Sequence, residues 1–420
     1  MTSRDQPLSR RELLAGAAGA IGAAALAGVP ADAGGQQGAA PVPPAGDPLQ
    51  LPGAPTSSIG TRAPRERPTR TPVGEQRGAA LTPLQDLTGT ITPSDLHFEV
   101  HHAGVPAIDA ARHTLLVHGL VGRATSFSLD DIRRFPQVTR THFIECAGNG
   151  ELAWRGNMFG TPRPDLSPQM VAGFTANSEW TGVPLRVLLD AVGARGNATW
   201  LLAEGADACR FARSIPMDKA LDDAFVAWAQ NGEPIRPEQG YPLRLMLPGW
   251  EGSTNIKWLR RIELGTRPWM TRWETATYTD PLPDGTARQF SFEMDARSVI
   301  TSPSFPMTIT RGWWPVTGLA WSGRGKIRRV EISTDGGATW HDAVLDGPVL
   351  SKAHVRFTHM WQWDGSETTI LSRATDETGY VQPTREALVG TRGIGTLYHW
   401  NPIYGWKVKD NGRVFFHGAT

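Results

Sequence analysis

The spacing of hydrophobic and polar positions changes partway along the chain. Between about Leu84 and Arg272, short apolar runs with strand-like spacing alternate with runs in which apolar residues recur at helical spacing. After about Asp284, short strand-like runs separated by turns fill most of the chain. We therefore predict an α+β domain followed by a β-sandwich of immunoglobulin type.

Residues that typically begin or end helices and strands delimit several predicted elements. In the first region, strands are predicted at Thr114–Val121, Val138–Glu145, Trp200–Ala203 and Leu243–Leu247, and helices at Ser128–Phe135, capped by Ser128, and Leu185–Val192, ended by Gly193. In the second region, Lys326–Ser333 predicts a strand, and Asp335–Gly337 predicts a hairpin turn before a strand that returns from Trp340. Six tryptophans are expected in the sandwich core and at a subunit interface: Trp313, Trp314, Trp321, Trp340, Trp361 and Trp363.

The first residues have the composition of an export signal. Arg10 and Arg11 precede an Ala/Gly-rich apolar run to Val29, and a small-residue cleavage site follows it. Paired arginines before a weakly hydrophobic run are typical of twin-arginine leaders, which export proteins already folded. We predict a twin-arginine signal peptide at residues 1–33 and a periplasmic protein, with an ordinary secretory signal as the alternative. No other stretch approaches the roughly 20 apolar residues of a spanning helix, so no membrane span is expected.

Residues 34–83 are crowded with Pro, Gly, Thr and Arg and show no periodicity. We predict an irregular Pro/Gly-rich segment there. Its arginines favour a solvated extended arm, and docking on an acidic partner is the alternative; they are Arg62, Arg65, Arg67 and Arg70. The expected domains then span residues 84–280 and 281–420.

The charge balance argues against a polyanionic partner. The 420 residues include 42 basic and 41 acidic side chains, so the chain lacks the electrostatic field that nucleic-acid binding requires. We expect no nucleic acid partner, and a small or local ligand instead.

The chemistry centres on one thiol. Within Thr141–Glu151 (THFIECAGNGE), Cys146 stands where a predicted strand ends and a glycine-rich corner begins. Cys209 is the other cysteine of the chain, so in an oxidising compartment the two could form a disulfide in a secreted binding protein. The glycines, however, leave space beside the sulfur, and a thiolate is a soft ligand suited to a transition metal. The residues alone leave both interpretations open.

An ordered series of motifs resembles the sulfite oxidase family of molybdopterin enzymes. The series starts at Phe143–Asn149 (FIECAGN), which is similar to the family's molybdenum-ligand segment, and the similarity covers nearly everything from about Leu84 to the end. It continues through Glu179–Leu185, Ser214–Pro216, Asn231–Pro234, Gly240–Arg244, Pro248–Gly252, Lys257–Trp258 and Ala374–Gly379. Within the family, Gly249–Gly252 and Arg373–Arg385 are most similar to the molybdenum subunits of sulfane dehydrogenases. The resemblance implies a molybdopterin-binding catalytic domain followed by a β-sandwich dimerisation domain.

The resemblance also implies residue roles. Cys146 would bind the molybdenum of the cofactor, and Arg244 and Lys257 would hold the pterin phosphate. The implied cofactor-binding set is His101, His102, Cys146, Asp207, Gln239, Arg244, Asn255, Ile256 and Lys257, with Asn255 and Ile256 acting through their backbone. The implied catalytic residues are Cys146 and Trp228, because Trp228 takes the place of a tyrosine that lies near the metal in relatives.

The departures from the family pattern bear on the substrate. Val100 and Glu151 stand where sulfite-binding relatives carry arginine. Without those cations a desolvated sulfite dianion lacks compensating charge, so a less charged sulfur suits the pocket better. The resemblance therefore implies oxidation, by oxygen-atom transfer, of sulfane sulfur carried on a partner protein. A dehydrogenase for free sulfite is the alternative.

The resemblance implies partners as well. Nothing in the chain matches Cys-x-x-Cys-His, so no covalent haem is expected on it. Electrons would pass to a separate c-type cytochrome subunit. A homodimer or a heterotetramer is expected, with contacts through the sandwich.

Overall fold

The computed structural model describes residues 52, 55–60, 62–63, 65–66, 68–73, 78–158, 163–282 and 284–420. The chain forms two compact units, Met1–Ala63 and Pro64–Thr420. In the first unit, the described residues contain bends but no helix or strand. The predicted signal peptide at residues 1–33 lies outside the described residues. All elements below belong to the second unit.

The second unit is built mainly from short strands. Strands β1 to β15 are Thr71–Val73, Ala79–Leu81, Glu99–Val100, Thr114–Gly119, Thr125–Ser128, Val138–Glu145, Thr175–Pro184, Trp200–Gly205, Ala212–Pro216, Phe225–Gln230, Glu233–Pro234, Arg244–Met246, Leu259–Gly265, Asp280–Pro281 and Ala287–Arg288. Strands β16 to β24 are Arg297–Ser302, Gly312–Trp321, Ile327–Ser333, His341–Asp342, Val344–Asp346, Val355–Trp363, Thr368–Asp376, Tyr404–Val408 and Val414–Ala419. Helices α1 to α6 are Leu129–Arg133, Glu151–Met158, Pro168–Ala172, Leu185–Ala191, Met217–Asp222 and Arg385–Arg392. Single 3-10 turns lie at Leu84–Asp86, Ser94–Leu96, Pro237–Gln239 and Gly252–Thr254, and a π-helical turn at Trp273–Thr277.

Two five-stranded sheets form the first domain. One has the order β11-β10-β7-β6, with β12 also paired to β10. The other has the order β5-β4-β13-β8-β9, in which β4 and β13 are parallel and the remaining pairs antiparallel. The main core draws buried residues from both sheets and from α4, for example Leu115, Leu188, Leu245 and Ile262. A smaller apolar cluster, which includes Ile144, Trp180 and Ala227, packs beneath Cys146.

Two antiparallel sheets form the second domain. Their orders are β16-β17-β21-β20 and β19-β18-β22-β23-β24, and both contribute to one apolar core. Trp321, Trp361 and Trp363 are buried in that core, as predicted, whereas the side chain of Trp313 is 63% exposed. The predicted strand and hairpin turn near Asp335 are confirmed by β18 and by Gly336 and Gly337, which have positive φ. The predicted fold class is therefore confirmed.

Local sequence signals correctly predicted several elements of the first domain. In α1, the Ser128 hydroxyl accepts from the Asp131 backbone N–H at 3.1 Å, and the Asp131 carboxylate accepts from the Ser128 N–H at 3.0 Å. This reciprocal capping box confirms the predicted helix start. Strand β6 has the predicted bounds, and α4 ends one residue before the predicted Val192.

The predicted irregular segment at residues 34–83 is wrong in its last part. Strand β1 pairs with β2, and β2 pairs with β3, so Thr71 faces Leu81 and Ala80 faces Glu99 in one small sheet. Arg70 is no solvated arm residue, because its Nη1 lies 3.2 Å from the Glu99 carboxylate. The sequence missed these strands because each is only three residues long, which is too short for a periodic pattern.

Within the described residues, none of the helices has the length and apolar character needed to cross a membrane.

Candidate functional site

A tight corner at the end of β6 presents the Cys146 thiol. The Cys146 N–H donates to the Phe174 carbonyl at 2.9 Å, and the Asn149 N–H donates back to the Cys146 carbonyl at 2.9 Å. The Asn149 side chain locks the corner, since its Nδ2 donates to Glu145 at 2.8 Å and its Oδ1 accepts from the Phe174 N–H at 3.1 Å. Gly150 closes the turn with φ +99°, where a Cβ would meet Arg297 Nη2 at 3.0 Å.

The thiol opens into a cavity of about 640 Å³, which we call the inner cavity. The structure brings every sequence-predicted cofactor-binding residue to its wall: His101, His102, Cys146, Asp207, Gln239, Arg244, Asn255, Ile256 and Lys257. These residues come from the end of β3, the corner after β6, the β8–β9 connection and the segments around β12. Polar and charged side chains converge on this cavity, as they do in sites that orient a ligand.

Two cations, Arg244 and Lys257, line the inner cavity. Arg244 is buried and donates from Nη1 to the Gln239 carbonyl at 2.9 Å, but its Nε has no hydrogen-bond partner. Burial and the neighbouring Arg244 cation hold the pKa of Lys257 well below its usual value. Burial likewise lowers the pKa of Arg244. Two neighbouring cations, of which Arg244 is buried with an orphaned N–H, are an arrangement that an anion such as a phosphate would complete.

Other wall residues offer neutral or acidic contacts. The Asp207 carboxylate accepts from the Phe211 N–H and from the Cys209 thiol, both at 2.9 Å. The Asn255 side chain is engaged inside the protein, since its Oδ1 accepts from the Leu247 N–H at 2.7 Å. The Asn255 backbone N–H donates to the Gly252 carbonyl at 3.2 Å, so the predicted backbone role of Asn255 stays a prediction.

The predicted alternative of a Cys146–Cys209 disulfide is wrong. Both cysteines are free thiols, and Cys209 is bonded to Asp207 instead. Burial raises the pKa of Cys146 to about 12, and the neighbouring carboxylate of Glu251 adds to the effect. A thiolate at this position needs positive charge from elsewhere, which a metal ion would supply. The donor set thus fits a molybdenum cofactor, for which Cys146 would hold the metal and Arg244 and Lys257 would hold the phosphate.

Trp228 is not among the residues that line this cavity, which corrects its expected position. Trp228 packs on the main core, with the Arg133 guanidinium 5.3 Å from its ring. The preceding Ala227 instead belongs to the cluster beneath Cys146. Because successive strand residues point to opposite faces, Trp228 on β10 faces away from the thiol.

Tyr278 is the aromatic residue that the structure places at the site, and the sequence interpretation missed it. It lines the inner cavity, and its hydroxyl lies 3.1 Å from His102 Nε2. The guanidinium of Arg213 lies 4.8 Å from its ring, and the rings of His102 and Phe211 stack at 5.0 Å beside it. The available sequence signal was the aromatic run Trp269–Tyr278, which precedes the domain boundary.

A second, wider cavity of about 1370 Å³, which we call the vestibule, adjoins the first. The two cavities share Val100, His101, His102, Cys146 and Tyr278. Apolar residues line most of the vestibule, including Leu152, Phe174, Leu397 and Trp400. Arg155 is the one Arg or Lys among its described lining residues, and it is paired with Glu151 at 2.8 Å.

Comparisons with known proteins place this site in a family. Residues 102–273 match the oxidoreductase molybdopterin binding domain, and residues 288–405 match the Mo-co oxidoreductase dimerisation domain. The chain is 28% identical to mitochondrial sulfite oxidase of Mus musculus over 349 residues, 77% of this chain and 63% of that protein. It is 30% identical to sulfite oxidase of Gallus gallus over 336 residues, 74% of this chain and 72% of that protein. The chain therefore belongs to the sulfite oxidase family of molybdopterin oxidoreductases.

A solved structure is also similar. The crystal structure of the sulfane dehydrogenase SoxCD from Paracoccus pantotrophus matches with a TM-score of 0.80 and 42% identity, covering 88% of this chain and 98% of that chain. By contrast, the chain spans about three fifths of the length of the mammalian sulfite oxidases it matches. The predicted family resemblance is confirmed, and the molybdopterin-binding domain implies a molybdenum cofactor.

Proposed function

We propose that this protein is a SoxC-like molybdenum subunit that oxidises sulfane sulfur carried on a partner protein. The observation that carries the proposal is the vestibule, which is wide and mostly apolar beside Cys146. A free sulfite anion would need fixed cations at this mouth. A sulfur atom at the end of a peptide arm needs instead room for the arm and little charge.

The residues at the mouth support the same substrate class. Val100 borders both cavities and contributes an apolar side chain, and the Glu151 carboxylate neutralises Arg155. The cations of the inner cavity, Arg244 and Lys257, would be occupied by the pterin phosphate. No described Arg or Lys on the vestibule wall is therefore left for a small sulfur anion.

The chain's own contribution to the reaction is to bind the cofactor, to orient the substrate and to exclude water. When bound, the molybdenum cofactor supplies the two-electron oxidation and the oxygen-atom transfer. Cys146 would hold the metal, and Arg244 and Lys257 would hold the phosphate. The Tyr278 hydroxyl and His102 line both cavities, where they would orient the substrate by hydrogen bonding.

Location and partners are part of the proposal. The paired arginines at Arg10–Arg11 support export in the folded state to the periplasm. The chain has no Cys-x-x-Cys-His segment to attach a haem, which supports a separate c-type cytochrome subunit as electron acceptor. The match to a dimerisation domain supports association through the sandwich.

Cytochrome c reduction by the molybdenum-loaded protein tests this function. A thiol carrier protein charged with sulfane sulfur, the same carrier uncharged, and free sulfite would be compared as substrates. We expect kcat/KM for the charged carrier to exceed that for sulfite by about 100-fold or more, a difference of about 3 kcal/mol. Cys146→Ser should abolish the reaction and lower the molybdenum content, while Cys209→Ser should retain both. Rapid reduction by sulfite with no response to the charged carrier would establish the sulfite dehydrogenase alternative instead.

A further inference from the structure

We use the name N-terminal strap for Arg70, Gly78 and the strands β1 and β2. The strap lies against the part of the chain that carries the predicted cofactor-binding histidines. Through β2 the strap pairs with β3, which contains Glu99 and leads into His101. The His101 N–H donates to the Gly78 carbonyl at 3.0 Å. At Gly78, φ is +56°, and a Cβ would lie 3.3 Å from His101 Cδ2. The strap therefore touches His101 directly.

A series of polar contacts connects the strap to Lys257 in the inner cavity. Arg70 Nη1 lies 3.2 Å from one Glu99 oxygen, and the other Glu99 oxygen lies 2.9 Å from His101 Nε2. His101 Nδ1 lies 2.7 Å from Lys257 Nζ. The His101 side chain is 4% exposed, so its own contacts are shielded from water, whereas Arg70 and Glu99 are 25% and 17% exposed.

The chemistry of the two neighbours fixes the state of His101. The Lys257 ammonium can only donate, so it requires a lone pair on Nδ1. The Glu99 carboxylate can only accept, so it requires the proton on Nε2. Burial lowers the pKa of His101, which agrees with a neutral ring. Glu99 thus selects the tautomer and the ring orientation in which His101 can accept from Lys257.

Glu99 also provides negative charge near the two buried cations. The charged groups that act on Lys257 are Arg244, which disfavours the ammonium, and the carboxylates of Glu99, Asp207 and Glu238, which favour it. The ammonium is further held by the carbonyls of Val100 at 3.0 Å and Glu238 at 3.2 Å. Loss of Glu99 would remove both an orienting contact and a favourable charge.

We propose that Arg70 and Glu99 are positioning residues for cofactor retention: they hold His101, and through it the Lys257 ammonium, in the arrangement that binds the pterin phosphate. Neither residue touches the reacting atoms. The inference rests on the molybdopterin site and not on the sulfur substrate, so a wrong substrate assignment leaves it intact.

The test measures the rate at which the molybdenum-loaded, full-length protein loses its cofactor, followed as molybdenum and pterin per chain during incubation at raised temperature. We expect Glu99→Gln and Arg70→Gln to release the cofactor about tenfold faster than wild type, the usual size of effect for residues that orient a metal-site ligand. The double variant should be no faster than Glu99→Gln alone, because Arg70 acts through Glu99. Arg70→Lys, which keeps the charge, should restore release to within about twofold of wild type.

Two controls separate positioning from general destabilisation. Arg324→Gln removes an arginine that is also partly exposed and pairs with the carboxylate of Asp295 at 2.8 Å, but lies in the sandwich. It should leave cofactor release unchanged. The unfolding temperature of cofactor-free Arg70→Gln should match that of the cofactor-free wild type. Wild-type release rates in Arg70→Gln, or additive effects in the double variant, would overturn the proposal. If Glu99→Gln does not fold, Arg70→Gln and Arg70→Lys decide the outcome by themselves.

Discussion

At the scale of single residues, Val100 places an uncharged side chain at the boundary between the inner cavity and the vestibule. Its side chain lines both cavities, and the site offers no free cation among the described vestibule residues. We expect Val100→Arg to raise kcat/KM for free sulfite by about tenfold, because a partly desolvated cation stabilises a bound anion by about 1–2 kcal/mol. The change is measured by sulfite-dependent cytochrome c reduction.

A matched control isolates the charge in that prediction. Val100→Met adds comparable length without a cation and should leave the value for sulfite within about twofold of wild type. Equal gains in the two variants would show that shape, not charge, limits sulfite at this position.

Tyr278 is the second residue whose role can be tested singly. Its hydroxyl contacts His102 where the two cavities meet, and burial raises its pKa well above the usual value, so it stays protonated and can donate. We expect Tyr278→Phe to lower kcat with the charged carrier by about tenfold while the molybdenum content stays unchanged. Tyr398→Phe is the control, because that hydroxyl is used by the Thr277 carbonyl. A fall in kcat for Tyr398→Phe alone would contradict the assignment.

The site residues differ in how far the sequence could reveal them. The family motifs that contain Cys146, Arg244 and Lys257 occur in the family's order, so the resemblance could locate these residues. The structure brings all three to the wall of the inner cavity. Trp228 could not be placed from pattern, because its position depends on which face of β10 it occupies next to an irregularity between Ala227 and Ala229. Tyr278 follows a π-helical turn, for which the sequence carries no periodic signal.

At the scale of elements, β12 and the segment before β13 carry two neighbouring cations, which we expect to bind an anion without the cofactor. Arg244 and Lys257 are both held with lowered pKa, and Lys257 is reached from β3 and from the turn Pro237–Gln239. We expect inorganic phosphate to bind the cofactor-free protein and raise its unfolding temperature. Lys257→Met should abolish the effect, and Arg261→Met, on β13, should not.

The lowered pKa of Lys257 gives that binding a pH dependence with a definite sign. Above its folded pKa, Lys257 loses its proton, so phosphate must bind with proton uptake, and affinity falls as pH rises. Inorganic phosphate takes up its second negative charge around pH 7, so its own titration is nearly complete by about pH 8 and does not reverse the trend above that pH. Between pH 8 and pH 10 we expect at least about a tenfold loss of affinity, measured by calorimetry. Affinity that is constant over this range would show that Lys257 keeps its proton.

Local pattern predicted the elements that are long enough to repeat. Strand β6 and helix α1 were placed because eight strand residues and a capping box are strong local signals. Strands β1 and β2 were not, because each is only three residues long and is defined by its pairing, β1 with β2 and β2 with β3. The strap and the vestibule are therefore features that only the folded chain reveals.

At the scale of the whole molecule, the sandwich supports the corner that carries the thiol. Arg297, on β16, reaches the end of β6, where its Nη1 lies 3.0 Å from the Glu145 carboxylate and 3.2 Å from the Asn149 carbonyl. Trp321 of β17 donates to the other Glu145 oxygen at 2.6 Å. Both charged side chains are at most 2% exposed. The residue before Cys146 is thus held by groups from the second domain.

This support predicts a large effect of one distant substitution. Arg297→Met leaves the Glu145 carboxylate buried without its cation, and we expect the free energy of unfolding to fall by about 3–5 kcal/mol, measured by urea denaturation of the cofactor-free protein. Glu145→Gln combined with Arg297→Met should recover part of that loss, because no charge is then left unpaired. Arg329→Met, which breaks an exposed pair with Asp342 inside the sandwich, should cost about 1 kcal/mol or less. If Arg297→Met costs no more than Arg329→Met, the Arg297–Glu145 ion pair does not stabilise the thiol corner, and the contacts of Trp321 and Asn149 must hold Glu145 by themselves.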